Sequence, residues 1–278
     1  MSSSAVLQAA LELYVHGSRA KSAELITREI DALLATETSP ASCSRESPLI
    51  CAHGGNANSP LAVSNTLPAF QSAVDLGVAC VETDVARTSD GQLVAVHVRE
   101  LRELSNDPSA QAADFTWAEM QALHGPAGLD IPLVVDVIQL LQPSVPNITL
   151  DIKLKEEAGK EVDVHEMAQA VVDLIIATGC SHCLVWSKND DLVRKVQALR
   201  PGQRCGFIVA ADLGLGVDSD EQVLPKSLRP DCQVVGMHHA MADQASVQAV
   251  HANNQIVHAW TANTLPMMVN VVAAVLMQ

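Results

Sequence analysis

Beyond Pro48 the chain alternates short apolar runs with stretches whose apolar positions recur at helical spacing. Apolar runs fall at 49–52, 79–85, 148–152, 183–186, 205–209, 233–237 and 256–260, each of a length that suits a buried strand. Helical periods lie between most of them, at 67–76, 165–177, 190–199 and 244–252. Strand and helix in alternation predict an α/β fold with a parallel sheet, and a chain of this length suits a (β/α) barrel. A doubly wound open sheet competes, but no Gly-x-Gly-x-x-Gly follows the first run.

One interval breaks the rhythm. After Glu82 and Asp84 comes Ser89-Asp90-Gly91-Gln92 and then at once another alternating run, with no room for a helix. Asp-Gly between two such runs predicts a two-residue hairpin turn at 90 and 91. In that register Asp84 faces His97 and Glu82 faces Arg99. All four side chains would share one face, with opposed Cβ atoms about 4.5–5.5 Å apart.

Ahead of the barrel, 5–36 predicts two amphipathic helices, with stripes at Leu7, Leu11 and Tyr14 and at Ile26, Ile30 and Leu33. Ser, Pro and Thr then mark 38–48 as a linker. The expected organisation is N-terminal helices and linker over 1–47, whose plain role is to cap the barrel, then a barrel domain over 48–278. Within the latter, about 87–132 reads as an insertion led by the hairpin.

Composition narrows the partners. At 278 residues and 48% hydrophobic, the chain is long enough for one large domain with a buried core. Lys and Arg total 17 against 32 Asp and Glu, a net charge of −15 that argues against nucleic acid. A phosphate-bearing substrate would need a local cation to invert that field. No apolar run approaches the roughly 18 residues of a membrane span, and residues 1–20 lack the basic start of a secretory signal. Seven cysteines, an odd number scattered through predicted strands, read as reduced core residues and hence as a cytoplasmic protein. Cys180-Ser181-His182-Cys183 looks like half a zinc site, but no second pair completes it.

The candidate chemistry gathers early. Two histidines, His53 and His97, and two strand-borne carboxylates, Glu82 and Asp84, are what metal-assisted phosphodiester cleavage requires. A divalent cation screens the anionic phosphate while imidazoles move protons on and off the reacting oxygens. His53-Gly54-Gly55, Ser64-Asn65-Thr66-Leu67-Pro68-Ala69-Phe70, Glu82-Thr83-Asp84-Val85, Thr88-Ser89-Asp90-Gly91, His97 with Leu101, Leu150-Asp151-Ile152-Lys153 and Ala259-Trp260-Thr261-Ala262-Asn263 occur in order along the chain. Together they resemble the glycerophosphodiester phosphodiesterase family, and Trp186-Ser187-Lys188 is similar to a divergent plant and algal branch of it.

The resemblance implies a TIM barrel with a small insertion after the second strand. It implies hydrolysis of glycerophosphodiesters to sn-glycerol 3-phosphate and an alcohol, with Mg²⁺ or Ca²⁺ as cofactor. Glu82, Asp84 and Asp151 take the places of the metal carboxylates, and His53 and His97 those of the acid/base pair. Lys153 takes the place of the family's strand lysine, and outside the resemblance Trp260 is a candidate substrate contact, with Arg99 or the backbone N–H of Gly54 as a substitute phosphate donor. Hard oxygen ligands from two strands suit either ion.

Departures leave alternatives open. Gly54 stands where the family carries Arg, Ser64 where it carries Glu, Asp151 where it carries Glu, and Val98 where it carries an acid. An inactive barrel serving as a binding protein, and a phospholipase-type lyase yielding a cyclic phosphate, are the two alternatives. The family's eighth strand has no counterpart before Gln278, so the resemblance implies an incomplete barrel of seven strands and a truncated gene product. Two open edges would favour self-association.

Overall fold

The computed structural model describes residues 49–55, 63–123, 130–154, 163–209 and 232–276. The helices expected over 5–36 and the linker after them lie outside the described residues. Each apolar run is a strand: β1 (Cys51–His53), β2 (Cys80–Arg87), β4 (Asn147–Ile152), β5 (Leu184–Ser187), β6 (Cys205–Val209), β7 (Val234–His238) and β8 (Ile256–Trp260), with β3 (Leu93–Val94) short and additional. The helices are α1 (Leu67–Asp75), α2 (Val98–Ser105), α3 (Trp117–Ala122), α4 (Val134–Leu141), α5 (Val164–Thr178), α6 (Asp190–Leu199), α7 (Gln244–His251) and α8 (Leu265–Leu276).

Seven strands pair in parallel in the order β1-β2-β4-β5-β6-β7-β8, and β3 hangs antiparallel on β2. Among the described residues the sheet does not close between β8 and β1. The fold is therefore the expected (β/α) barrel, incomplete by its last strand.

Alternation along each strand separates two environments. Val81, Val85, Leu150, Ile152, Val185 and Phe207 point outward into the core shared with the helices. Leu184, Trp186, Ile208 and Val234 fill the interior. One register row joins Asp84, Asp151, Trp186 and Gly206 on β2, β4, β5 and β6, so carboxylates line one side of the interior and an indole the other. Two strand glycines permit the close packing here, Gly236 under Trp186 and Gly206 against the next strand. A Cβ on Gly236 would stand 2.7 Å from the Trp186 ring, and one on Gly206 2.9 Å from the Val234 carbonyl oxygen.

The predicted hairpin register is wrong by one residue. Ala86 pairs with Val94 and Arg87 with Leu93, and Thr88 N donates to the Gln92 carbonyl at 2.9 Å, so three residues, 89–91, lie beyond the last bonded pair rather than two. Gly91 lies in the left-handed region at φ 89°, which is the geometry of a three-residue hairpin. Thr88 fixes it: its hydroxyl accepts from Gln92 N at 2.8 Å and donates to Asp90 at 2.6 Å. The ladder ends at Val94, because Ala95 N donates to the Pro132 carbonyl and the chain turns into α2. Asp84 therefore does not face His97 across a strand pair, and Glu82 does not face Arg99. A separate small core of Ala86, Val94, Val96, Leu101, Met120 and Ile131 lies under α2 and α3.

The cysteine reading also needs correction. Cys51 and Cys80, directly opposed on β1 and β2, form a disulfide, and Cys180 and Cys183 form another. The second pair leaves no half zinc site. Both disulfides follow from placement: parallel register brings the first pair to 4.4 Å between Cα atoms, and the turn after α5 brings the second to 5.4 Å.

Candidate active site

Glu82 and Asp84 sit two residues apart on β2, and Asp151 lies beside Asp84 on β4. Their oxygens lie within 4.8 Å of one another, and all three residues are buried. Lys153, two residues beyond Asp151, places its ammonium 2.8 Å from Asp84 and in hydrogen-bond contact with Asp151. Three carboxylates against one ammonium leave two negative charges in excess. At about 4 Å and an effective dielectric near 20, each like-charged pair costs about 4 kcal/mol.

The charges respond in opposite directions. Burial, together with repulsion from Asp84 and Asp151, pushes the Glu82 carboxyl well above the usual range. Burial also raises Asp151, against the pull of Lys153. Burial acts on Asp84 too, yet Lys153, His97 and His53 outweigh it and hold that carboxyl below its ordinary value. Lys153 stays firmly protonated, because the three acids outweigh the burial that would lower it.

The donor set fits a hard divalent cation. Glu82 Oε1 is buried without a hydrogen-bond partner, and the cluster's excess of two negative charges is what one such ion cancels.

Asn65 holds this cluster in place. Buried at φ 61°, it donates from Nδ2 to Asp84 Oδ2 at 2.7 Å and accepts from Asp84 N at 3.1 Å. Thr66, next in the chain, caps α1, so the turn into that helix presents Asn65 to β2. Its position inside the Ser64-Asn65-Thr66 motif was visible in the sequence, but nothing there disclosed its partner. Glu100 is a second residue that went unnoticed: it accepts from His97 N at 3.0 Å and approaches Asn65 Nδ2 at 3.4 Å.

The two histidines arrive by different routes. His53 ends β1, with Nε2 3.8 Å from Glu82 Oε2. His97 is not on a strand but is the N-cap of α2, where Nδ1 accepts from Arg99 N at 3.1 Å and Glu100 closes a capping box. That hydrogen bond leaves the Nε2 edge as the one open to the cavity. Burial lowers the His97 pKa to about 4, with Asp84 opposing the shift.

Both histidines line one cavity of about 720 Å³, together with Glu82, Asp151, Lys153 and Trp260. Arg99 reaches its rim from the first turn of α2, with a 66% exposed side chain 3.5 Å from Glu100. Gly54 does not offer a phosphate donor, because its N–H donates to the Glu82 carboxylate at 3.0 Å. It also has no room for the family's Arg: at φ 58°, a Cβ there would overlap Ser64 Oγ. Gly54 and Ser64, both departures, thus fit each other.

An open parallel barrel with a buried acidic cluster and two imidazoles near one cavity is a scaffold suited to metal-assisted chemistry. The comparisons agree. Residues 53–274 match the glycerophosphoryl diester phosphodiesterase family, and the chain belongs to it. Glycerophosphodiester phosphodiesterase GDPD4 of Arabidopsis thaliana is 34% identical over 221 residues, 77% of this chain and 64% of that protein. The chain thus spans just under two thirds of the length of that relative. A glycerophosphodiester phosphodiesterase of Caldanaerobacter subterraneus is 30% identical over 59% of this chain and 68% of its own. Among solved structures, an Oleispira antarctica phosphodiesterase in complex with sn-glycerol-3-phosphate superposes with a TM-score of 0.67 at 22% identity, covering 82% of this chain and 90% of its own. A Thermotoga maritima glycerophosphodiester phosphodiesterase gives 0.61 at 19%, over 83% and 93%.

Proposed function

We propose that this barrel hydrolyses glycerophosphodiesters to sn-glycerol 3-phosphate and an alcohol. One observation supports it above the rest: His53 and His97 approach a single cavity from different elements, and Glu82, Asp151 and Lys153 share its lining. Glu82, Asp84 and Asp151 would hold Mg²⁺ or Ca²⁺, which supplies charge neutralisation at the phosphoryl oxygens. Lys153 adds a fixed positive charge beside them.

His53 takes the proton from an attacking water, or from the glycerol 2-hydroxyl, in which case a water must then open the cyclic ester with the two histidines exchanging roles. The new bond to phosphorus forms as the bond to the head-group oxygen breaks. His97, whose Nδ1 is held by the helix N-terminus, presents Nε2–H to that departing oxygen. Glu82 orients the first imidazole from 3.8 Å, and Trp260 packs against the glycerol or head group. Arg99 is the rim contact for phosphate, in place of the donor lost at Gly54.

Phosphorus NMR of a glycerophosphodiester incubated with the protein and Mg²⁺ tests this reading. Glycerol 3-phosphate is the product expected; a persistent cyclic ester would identify a lyase, and an unchanged diester an inactive binding barrel.

Residues 87–132 act, in this reading, as an insertion that delivers His97 and Arg99 to the barrel mouth, with 48–278 as the barrel domain. The edges at β1 and β8, unpaired among the described residues, favour association with a second copy, which light scattering reads. Among the described residues, no helix is long and apolar enough to cross a membrane. The cytoplasmic placement suggested by the sequence sits poorly with two disulfides, and we favour a compartment in which they persist.

A further inference from the structure

Part of the cavity lining comes from the insertion and from the residue that follows β5. It carries Arg99, Arg102 and Lys188, with Glu103 as the only acid of α2 that lines the cavity. This is a cationic wall in a chain of net charge −15. Arg102 is partly buried there, and its Nε has no hydrogen-bond partner. Lys188 projects its ammonium over the Trp260 ring, 5.5 Å from the centroid.

That last contact decides between head groups. A quaternary ammonium is recognised by the face of an aromatic ring, best of all an indole. Here the Trp260 face is already shared with a protein cation. The three carboxylates that might draw in a cationic head group cluster instead beside Lys153.

We propose that the insertion selects glycerophosphodiesters whose head group carries an anion, and disfavours quaternary ammonium head groups, with Arg102 and Lys188 as the specificity-determining residues. The inference rests on the phosphodiesterase reading for the core of its substrate and adds the chemistry of the leaving alcohol. An anionic substituent on that alcohol meets the guanidinium of Arg102 on one side and the ammonium of Lys188 on the other. A trimethylammonium group in the same place meets two like charges and an occupied ring face. One charge pair at a partly solvated wall is worth about tenfold in kcat/KM.

Three probes separate charge from size: glycerophosphoinositol 4-phosphate, glycerophosphoinositol and glycerophosphocholine. Glycerol 3-phosphate release with Mg²⁺ should rank them in that order, with about tenfold between first and last, by the scale of a single charge contact. The ratio should shrink in 0.5 M NaCl, at which screening acts within about one contact length, a few ångströms. It should also fall towards one in the double variant Arg102→Gln, Lys188→Gln. Calorimetric binding of the same three probes to the His53→Ala variant, in the presence of Ca²⁺, gives a readout in which turnover is suppressed.

Equal kcat/KM values, a preference for glycerophosphocholine, or a ratio untouched by the double variant would overturn the proposal. Absence of turnover with the same binding order would sink the phosphodiesterase reading while supporting the charge preference. Neither turnover nor binding would overturn both.

Discussion

Asn65 is the residue on which the geometry of the acidic cluster turns. Replacing it with Ala removes the 2.7 Å donor to Asp84 Oδ2 and the acceptor for Asp84 N at 3.1 Å. Asp84 is fully buried, so water cannot substitute for either. A buried group left unsatisfied costs about 1–3 kcal/mol, and more when it is charged. Ala at φ 61° adds strain of about 1 kcal/mol in the left-handed region. Together these losses amount to about 3–5 kcal/mol, or roughly 10 °C in Tm for a domain of this size. Urea unfolding followed by Trp fluorescence measures the loss in Asn65→Ala. Asn65→Gly, which relieves the backbone strain alone, should recover about 1 kcal/mol of it. A loss below about 1 kcal/mol for Asn65→Ala would refute the reasoning, since one broken hydrogen bond with solvent rescue costs that much.

Further predictions concern the histidines, the barrel interior and the disulfides. His53→Ala and His97→Ala should each lower kcat by about 10²–10⁴, the usual range for a lost proton-transfer group, with the urea midpoint held in His53→Ala and lowered by the equivalent of about 1 kcal/mol in His97→Ala, which loses the cap of α2. Gly236→Ala would press a methyl onto the Trp186 ring, 2.7 Å from its nearest atom, and should destabilise by about 1–3 kcal/mol in the same unfolding assay. Burial, with a smaller push from Arg204, lowers the His258 pKa to about 4. The unfolded chain then binds this proton first, so stability is complete above pH 6.5 and declines as pH falls toward 4. The decline attributable to this group has a ceiling of about 3 kcal/mol, and His258→Gln should flatten that part of the profile. Reduction of the Cys51–Cys80 disulfide, which spans 29 residues, should cost about 3.6 kcal/mol in thermal unfolding, and a thiol reagent should count additional cysteines only after reduction.

The strands and long helices were legible because their residues obey one period over many positions. Helix α6 begins and ends at the residues the periodicity predicted, and β6 and β8 likewise, since local pattern and tertiary burial agree there. The route to His97 was not legible, for two identifiable reasons. Asp90-Gly91 reads as a two-residue turn, yet the Thr88 hydroxyl and the left-handed Gly91 make a three-residue loop and shift the register. His97 then precedes Glu100 by three residues, which is the spacing of a capping box with an unusual first residue, and the helical period of α2 follows it.

Partner identities were the other illegible part. Asn65 and Glu100 act across 19 and 35 residues, and single-sequence patterns carry no information on contacts at that range. The same holds for Cys51 and Cys80, whose pairing depends on the parallel register of β1 on β2 rather than on any spacing motif. The acidic cluster itself was legible in outline, because Glu82 and Asp84 share a strand face by alternation, whereas Asp151 joined them only through the family resemblance.

The most direct measurement is the rate of glycerol 3-phosphate formation from a glycerophosphodiester in paired reactions with Mg²⁺ and with a chelator, for the parent chain and for Glu82→Gln. Turnover that the chelator abolishes, and that the variant lowers by at least about a hundredfold, is the predicted result, given the several kcal/mol a bound cation contributes. Turnover indifferent to both would contradict the claim that the buried carboxylates form the catalytic centre.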